Sequence, residues 1–295
     1  MGEIAGAGQS VTMAWRAASG LMRQAGIAAP ELDARLLLCH AAGLSHEAYA
    51  ASPDQVLAPE IMARFGALVE ARLRGEPVSR LVGLREFYGR SFRINAHVLD
   101  PRPDTETVIE AALDAVDRRG SRNDALRLID LGTGAGCILI TLLAELPRAT
   151  GIGIDLSPDA LAVARQNAER LGVAGRASFV IGDWLDGIGE GGCDLILANP
   201  PYIASGEVAA LAPEVRDHDP RIALDGGEDG LEAYRRIAAR AGAVLRDGGK
   251  LIVEIGAGQA EAVLALFRAE GLDMDPENCV RRDLAGHPRC IVASS

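Results

Sequence analysis

Cysteine and histidine are scarce in this 295-residue chain, with five of each. No two cysteines stand in a CxxC arrangement and no two histidines in an HxxxH arrangement, so we expect reduced cysteines and no metal site. A basic N-terminal segment leading into an apolar stretch is also missing, which argues against a signal peptide. The longest apolar run, residues 135–144, is about half a membrane span. These absences favour a cytoplasmic protein that does not enter a membrane.

Positive charge is also scarce, and it is unevenly placed. The chain has 30 Lys and Arg residues against 41 Asp and Glu residues, a formal net charge of −11. Residues 1–100 contain ten of each sign, so residues 101–295 carry the whole excess of acid. Binding along a nucleic-acid backbone needs clustered basic side chains. The composition therefore argues against nonspecific nucleic-acid binding, without excluding a local basic groove.

The length suggests two domains or one large one, and a small helical bundle is predicted for residues 1–77. Apolar residues recur at helical spacing in three segments, residues 12–25, 30–43 and 59–74. In the second segment this spacing predicts a buried face made of Leu32, Leu36, Leu37 and Cys39. The bundle is too short for a catalytic core, and we interpret it either as a docking module or as a cap on the next domain.

Residues 78–100 have a different pattern. Short β-prone runs at 80–82, 86–88 and 91–94 are separated by Gly83 and Gly89, which predicts hairpins. The segment 99–106 is then expected to lead into a helix that ends near Arg119.

From residue 126 the chain alternates between strand and helix. Strands are predicted at 126–131, 150–154, 178–181, 194–198 and 250–255, and a closing β pair at 278–282 and 289–293. Helices are predicted at 137–145, 158–171, 231–245 and 259–270. Repeated β-α units indicate an α/β fold with a mostly parallel sheet and helices on both faces.

A glycine-rich loop follows the first of these strands. The sequence Asp130-Leu131-Gly132-Thr133-Gly134-Ala135-Gly136 lets the backbone turn sharply and approach a ligand closely. Asp155, at the end of the second strand, stands where an acid bonds the ribose in nucleotide-binding folds. The GxGxG spacing, with Cys137 in place of a small residue, suits a nucleoside without a pyrophosphate. The competing interpretation is a glycine turn that binds nothing.

The segment Asn199-Pro200-Pro201-Tyr202 carries the strongest chemical signal. It follows the fourth strand, so it faces the same crevice as the glycine loop. The Asn199 side-chain carbonyl and the Pro200 backbone carbonyl can each accept one N–H of a planar NH₂ group, and the Tyr202 ring can lie against that group. Two acceptors orient a poorly nucleophilic amide or aromatic amine for methyl transfer. A buried turn or a proline-rich ligand segment is the alternative interpretation.

Together these segments resemble the protein-(glutamine-N5) methyltransferases that modify class I peptide-chain release factors. The resemblance covers nearly the whole chain and includes 86–89, 101–106, 130–136, 182–184, 199–202 and 254–256. It implies a Rossmann-like class I S-adenosylmethionine methyltransferase domain over 101–295, a β-hairpin linker over 78–100 and a partner-docking helical bundle over 1–77. Asp100 departs from the family, which commonly has an apolar residue there.

The resemblance also implies site residues. Gly132, Thr133, Gly134, Ala135, Gly136, Asp155, Asp183, Trp184 and Asn199 would bind S-adenosylmethionine, which leaves as S-adenosylhomocysteine. The substrate glutamine amide would be held by Asn199, Pro200, Pro201 and Tyr202, of which Asn199, Pro200 and Tyr202 would be catalytic. Arg102, Pro103 and Glu106 would form part of the wall. His218 would order the loop over residues 213–221 rather than act as a base.

Three alternatives stay open at this point. The same tetrapeptide suits an adenine-N6 methyltransferase acting on DNA or RNA, usually on a flipped base, although that enzyme needs a basic groove. A glutamine methyltransferase of a ribosomal protein shares most of the motifs. A cofactor-binding scaffold without activity is the third. The expected partner is a class I release factor, with no stable nucleic-acid or membrane partner.

Overall fold

The computed structural model describes residues 8–283 and 285–295, and these form two compact units. The first extends to Leu84 and the second runs from Arg85 to the C-terminus. In the described part of the chain no helix has the length and apolar character needed to cross a bilayer.

The first unit is a helical bundle. Its helices are α1 (Val11–Gln24), α2 (Pro30–Ala42), α3 (His46–Ala51), α4 (Pro59–Leu73) and α5 (Val78–Val82). The three predicted helices are present, whereas α3 was not predicted and α5 replaces the β-prone run predicted at 80–82. Helices α3 and α5 have six and five residues, which are too few to show a helical period of apolar residues, so the sequence pattern could not predict them.

The buried face of α2 differs from the predicted one. Leu37 and Cys39 are buried as expected and Leu36 is half-buried, but Leu32 is 45% exposed, and Leu38 is fully buried instead. The cause is a buried polar residue one turn before Leu37, since the Asp33 carboxylate accepts a 2.8 Å hydrogen bond from Arg72 Nε of α4. A pattern read from apolar residues alone cannot place a face that includes a buried ion pair.

A β-hairpin follows the bundle. Its strands β1 (Leu84–Phe87) and β2 (Arg90–Arg93) confirm the predicted hairpin. Tyr88 and Gly89 both have positive φ, 49° and 68°, as the tightest hairpin turns require. Tyr88 is not glycine, and its backbone N–H is held by Glu106 Oε1 at 2.8 Å.

The second unit contains a seven-stranded sheet. Its strands are β3 (Arg127–Leu131), β4 (Thr150–Asp155), β5 (Ala177–Ile181), β6 (Cys193–Ala198), β7 (Leu245–Glu254), β8 (Val280–Arg282) and β9 (Pro288–Ser294). The order is β5-β4-β3-β6-β7-β9-β8, with parallel pairing from β5 to β7 and an antiparallel β9 and β8. This confirms the α/β fold class and the closing β pair.

Helices cover both faces of this sheet. They are α6 (Glu106–Arg118), α7 (Cys137–Glu145), α8 (Pro158–Arg170), α10 (Glu232–Val244) and α11 (Ala260–Ala269), whereas the four-residue helix α9 (Pro213–Arg216) lies in the segment between β6 and α10. One apolar cluster includes Ile109 and Leu139, and the other includes Tyr234 and Phe267. After β5 the chain returns to place β6 beside β3. This reversal opens a crevice at the carboxyl ends of β3 and β6, where ligands of open α/β sheets bind.

Candidate active site

The glycine loop after β3 adopts the backbone conformation that its composition predicts. Gly132, Gly134 and Gly136 have φ of 65°, 54° and 81°, values that side-chain-bearing residues rarely adopt. Gly132 and Gly134 line a cleft of about 430 Å³, and a Cβ added to either would lie no nearer than 3.9 Å to another atom. Gly136 serves packing instead, because a Cβ there would lie 2.6 Å from Ile140 Cδ1.

The other two loop residues predicted to bind a cofactor, Thr133 and Ala135, are buried and do not line the cleft. Thr133 Oγ1 donates a 2.6 Å hydrogen bond to Asp130 Oδ2. Burial raises the pKa of Asp130 to about 7. This buried contact fixes the loop on the side away from the cleft, so that of the five loop residues only Gly132 and Gly134 line the cleft.

Asp155 ends β4 at the floor of the cleft. Its Oδ2 accepts the Gly134 N–H at 2.9 Å, and its Oδ1 accepts the Ser157 N–H at 2.9 Å. The carboxylate is therefore locked in orientation while it still lines the cleft. Each carboxylate oxygen has a further lone pair, so a vicinal diol can be bound without breaking either contact.

Asp183 and Trp184 form the wall after β5. Trp184 has a positive φ of 55°, a conformation that costs about 1 kcal/mol or more outside glycine. It brings the indole over the glycine loop, since a Cβ on Gly132 would lie 3.9 Å from Trp184 Cζ3. Asp183 Oδ2 accepts a 2.7 Å hydrogen bond from Arg236 Nη1 of α10. A flat aromatic wall and a fixed carboxylate at one end suit a nucleobase.

The tetrapeptide after β6 borders the same cleft. Pro201 lines it, whereas Asn199, which was predicted to bind the cofactor, does not, and neither do Pro200 and Tyr202. Asn199 Nδ2 donates a 2.9 Å hydrogen bond to Thr105 Oγ1. With its NH₂ group engaged there, Asn199 has its carbonyl oxygen left to accept from a substrate.

Two buried groups stand behind this tetrapeptide. Glu254, at the end of β7, is 2% exposed, and burial raises its pKa to about 7, while the Thr105 side chain opposes part of that rise by hydrogen bonding. Burial, followed by the nearby Glu254 charge, raises the pKa of Tyr202 to about 12. The Tyr202 phenol therefore remains neutral at physiological pH.

Gln259, the residue before α11, fixes the backbone of Tyr202. Its Nε2 donates to Tyr202 O at 2.9 Å and to Gly230 O at 3.2 Å, and its Oε1 accepts the Gly256 N–H at 3.0 Å. Gly226 closes the other side, because a Cβ there would lie 2.6 Å from Pro201 O. The tetrapeptide is thus held in a cradle formed by the Gln259 side chain and by Gly226, where a Cβ has no room.

The opposite wall of the cleft comes from Pro220, Ile222, Ala223, Asp225, Gly226 and Gly227. Asp219 anchors this wall, with a side chain only 2% exposed: its Oδ2 accepts from Arg102 Nη2 at 2.6 Å and its Oδ1 from the Asp100 N–H at 3.1 Å. His218 is half-buried and does not line the cleft. Asp100 also lies 3.5 Å from Arg85 Nε, so this acidic residue has an ionic partner.

The predicted wall residues near α6 do not line the cleft themselves. Arg102 reaches Asp219, Pro103 opens a short 3₁₀ turn (Pro103–Thr105), and Glu106 holds the hairpin turn through Tyr88. Across residues 8–283 and 285–295, no three His, Cys, Asp or Glu side chains are grouped so that they could hold a metal ion.

Sequence reasoning missed Thr105, Asp219, Glu254 and Gln259 as parts of this site. Their partners are distant in the chain: 94 residues separate Thr105 from Asn199, and 117 separate Arg102 from Asp219. A usable signal existed for three of them, because Thr105, Asp219 and Glu254 fall inside segments 101–106, 213–221 and 254–256, which carry the family resemblance.

Comparison with known proteins finds similarity over nearly the whole chain. Two family models match, described as "PrmC N-terminal domain" over residues 13–83 and "Methyltransferase domain" over residues 122–261. The release factor glutamine methyltransferase of Cereibacter sphaeroides is 49% identical over 280 residues, which are 95% of this chain and 96% of that protein. The one of Rhodospirillum rubrum is 45% identical over 283 residues, covering 95% and 82%.

A solved structure supports the fold independently. A methyltransferase from Pyrococcus furiosus aligns with a TM-score of 0.50 at 15% identity, over 70% of this chain and 90% of that one. This likeness concerns the architecture of the sheet and its helices.

Proposed function

This chain belongs to the release factor glutamine methyltransferases, and we propose that it transfers a methyl group from S-adenosylmethionine to the side-chain amide nitrogen (N5) of a glutamine in a peptide-chain release factor. The resemblance of its motifs directs the reaction to the glutamine of a Gly-Gly-Gln loop. The observation that carries the proposal is the amide of Asn199, which stands two residues before the cleft-lining Pro201 and whose NH₂ group is engaged by Thr105.

The cleft fits an adenosine-based cofactor. Its volume of about 430 Å³ is in the usual range for small-molecule sites. Asp155 supplies a fixed carboxylate for the ribose diol, and Asp183 and Trp184 supply the wall for the adenine. Gly132 and Gly134 give the amino-acid end a close approach to the backbone, while Thr133, Ala135 and Gly136 hold that loop in shape. The cofactor supplies an electrophilic methyl group on a sulfonium.

The tetrapeptide orients the substrate amide. The Asn199 carbonyl accepts one N–H and the Pro200 backbone carbonyl accepts the other, which aims the nitrogen lone pair at the methyl group. Pro201 and the neutral Tyr202 shape the slot for the flat amide. Orientation of this kind can lower a barrier by roughly 7–11 kcal/mol. As the N–CH₃ bond forms and the S–CH₃ bond breaks, the acidified amide nitrogen loses a proton to solvent.

The domain roles follow from this assignment. We assign catalysis to residues 101–295, and docking of the release factor to the helical bundle of residues 1–77, ahead of the hairpin segment 78–100. Support for docking comes from exposed apolar side chains, since Met13 and Val56 are 58% and 62% exposed on adjoining stretches of this bundle. Five free, buried cysteines in the described chain suit a reducing compartment such as the cytoplasm.

One assay tests the function. The protein, S-adenosylmethionine and a class I release factor are incubated, and the methylated residue is located by mass spectrometry. One methyl group on the Gly-Gly-Gln glutamine is expected, and none on a Gln→Ala release factor. Asn199→Ala should abolish turnover but keep cofactor binding, whereas Asn123→Ala, on an exposed loop, should keep both.

The alternatives are separate outcomes of the same assay. Methylation of adenine in an oligonucleotide, or of a ribosomal protein in preference to the release factor, would each redirect the proposal to that substrate. An unmodified release factor, in the presence of protein that binds the cofactor, would refute it.

A further inference from the structure

Three side chains from distant parts of the chain meet behind the tetrapeptide. Asn199 follows β6, and Glu254 is the last residue of the neighbouring parallel strand β7, since Ala198 pairs with Val253 in the β6–β7 ladder. Thr105 lies next to both, because its Oγ1 accepts from Asn199 Nδ2 at 2.9 Å and its side chain is near enough to the Glu254 carboxyl to lower the pKa of that group. The order of contact is therefore Asn199, Thr105, Glu254.

Thr105 alone cannot decide which way the Asn199 amide points. An asparagine amide has a donor end and an acceptor end of nearly the same shape, and a threonine hydroxyl can serve as donor or acceptor. A hydroxyl that donates to Asn199 would turn the NH₂ group towards the substrate amide, where two donors would oppose each other. The hydroxyl hydrogen has to be engaged elsewhere for the productive orientation to persist.

Glu254 is the group that can engage it. An ionised carboxylate only accepts hydrogen bonds, so it fixes Thr105 as a donor towards Glu254 and an acceptor towards Asn199. Glu254 is 2% exposed, and its Oε2 has no hydrogen-bond partner among the described residues. Such burial is costly for a carboxylate, and the proposed transfer of the methyl group does not otherwise use this residue.

We propose that Glu254 is a positioning residue, which acts through Thr105 to hold the Asn199 amide with its carbonyl oxygen towards the substrate. The inference rests on the proposed role of Asn199. It adds a condition to that role: the site is competent when Glu254 is ionised.

The charges around Glu254 come from several elements. Titratable or charged groups that interact with it electrostatically are Arg102 and Asp104 before α6, Tyr202 after β6, Tyr234 on α10, and Arg289 and Cys290 on β9. Burial dominates these contributions and raises the pKa of Glu254 to about 7. We therefore expect kcat to rise with pH through about 7, as the carboxyl group loses its proton.

Substitutions at Thr105 and Glu254 test whether Glu254 acts through Thr105 on Asn199. Thr105→Val and Glu254→Met remove the hydroxyl or every acceptor, and kcat should fall by about fivefold to tenfold, the worth of one hydrogen bond, with the KM for S-adenosylmethionine unchanged. Thr105→Ser keeps the hydroxyl and should restore most of kcat. Thr141→Val is the matched control, because Thr141 is fully buried on α7 and its Oγ1 has no partner among the described residues.

The dependence of kcat on pH distinguishes a positioning role of Glu254 from a role in stability alone. In Glu254→Gln the rise of kcat near pH 7 should disappear, since the amide does not titrate. A profile with its midpoint kept in Glu254→Gln would overturn the proposal. So would an unchanged kcat in both Thr105→Val and Glu254→Met, while wild-type turnover and its loss in Asn199→Ala would leave the proposed function intact.

A second readout needs no turnover. The side-chain amide signals of Asn199 in an NMR spectrum of the full chain are identified by their absence from Asn199→Ala. They should shift with pH with a midpoint near 7 in the wild type and lose that dependence in Glu254→Gln. If these signals change neither with pH nor in Glu254→Gln, the proposed action of Glu254 through Thr105 on Asn199 is wrong. That conclusion would hold even if the substrate were not a release factor.

Discussion

The side chain of Gln259 donates a 2.9 Å hydrogen bond to the backbone carbonyl of Tyr202, 57 residues earlier in the chain. The same amide nitrogen also reaches Gly230 O, and the amide oxygen accepts from the Gly256 N–H. One side chain therefore ties the end of β7, the start of α11 and the proposed substrate loop into a single unit.

Replacing Gln259 by Glu tests this tie. Glutamate keeps an acceptor for Gly256 but turns a negative oxygen towards the carbonyls of Tyr202 and Gly230. We expect kcat to fall by about 10- to 100-fold, because small misplacements of orienting groups are costly, with cofactor affinity nearly unchanged. Steady-state kinetics and calorimetric binding measure the two effects.

The control for that substitution is Gln166→Glu, on an exposed position of α8, which should leave both values as in the wild type. A Gln259→Glu variant with wild-type kcat would show that the tetrapeptide keeps its geometry without this side chain.

Gly226→Ala probes the other side of the cradle. Gly226 lacks a positive φ, so alanine is conformationally acceptable, yet its Cβ would lie 2.6 Å from Pro201 O and 2.9 Å from Tyr202 Cα. We expect a loss of kcat and a free energy of unfolding lower by about 1–3 kcal/mol, as for overpacking. Gly189→Ala, where no atom lies within 4 Å of the added Cβ and φ is not positive, should change neither in chemical unfolding or in kinetics.

How much of this site the sequence could predict depends on how far apart in the chain the contacting residues are. The glycine loop, Asp155 and the tetrapeptide follow directly from their positions at strand ends, and the structure brings all three to one crevice. Their supports are different, because Gln259 and Thr105 reach partners 57 and 94 residues away. Such contacts leave no local period, so the pattern of a single sequence does not show which residues pair, although Thr105 lies inside a segment that carries the family resemblance.

Burial shows the same limit in the helical bundle. The period of α2 is correct, but the face is misplaced at Leu32 because Asp33 is buried against Arg72 of α4. Polar residues are counted as exposed in any hydrophobic pattern, and only the fold shows that a partner makes one of them internal.

Trp184 provides a direct test of cofactor binding. The chain has two tryptophans, and the other, Trp15, belongs to α1 in the first unit. In Trp15→Phe the fluorescence therefore comes from Trp184 alone, which lines the cleft beside Gly132. S-adenosylhomocysteine should change this signal saturably, because an adenine against the indole alters its environment.

Asp155→Asn in the same background should weaken that titration by about tenfold or more, since hydrogen bonds to a charged acceptor contribute about 1.5–3 kcal/mol. Asp124→Asn, on an exposed loop, is the control. A fluorescence signal that stays constant while calorimetry detects binding would place the cofactor away from Trp184.

Because the carboxyl group of Glu254 is buried, we expect stability and activity to change in opposite directions as pH rises. Its pKa is raised from 4.5 to about 7 by burial. Between these values the unfolded chain has released a proton that the folded chain still holds, so the free energy of unfolding falls as pH rises through this window and is level above about 7. The stabilising effect of the raised pKa is thus fully present only below about pH 4.5.

Glu254→Gln removes this dependence. One pKa unit corresponds to about 1.4 kcal/mol, so the stability of the variant relative to the wild type should increase by about 2 kcal/mol between pH 5.5 and pH 8. Urea unfolding of both proteins at several pH values measures the difference. Asp130, whose pKa is also raised to about 7 by burial, is present in both proteins, so its contribution cancels in the difference. A stability difference independent of pH would mean that Glu254 is not protonated in the folded enzyme over this range. The expected increase would show that folding raises the pKa of Glu254, so that the ionised carboxylate, which the proposed positioning role needs, lowers the stability of the wild type above pH 7.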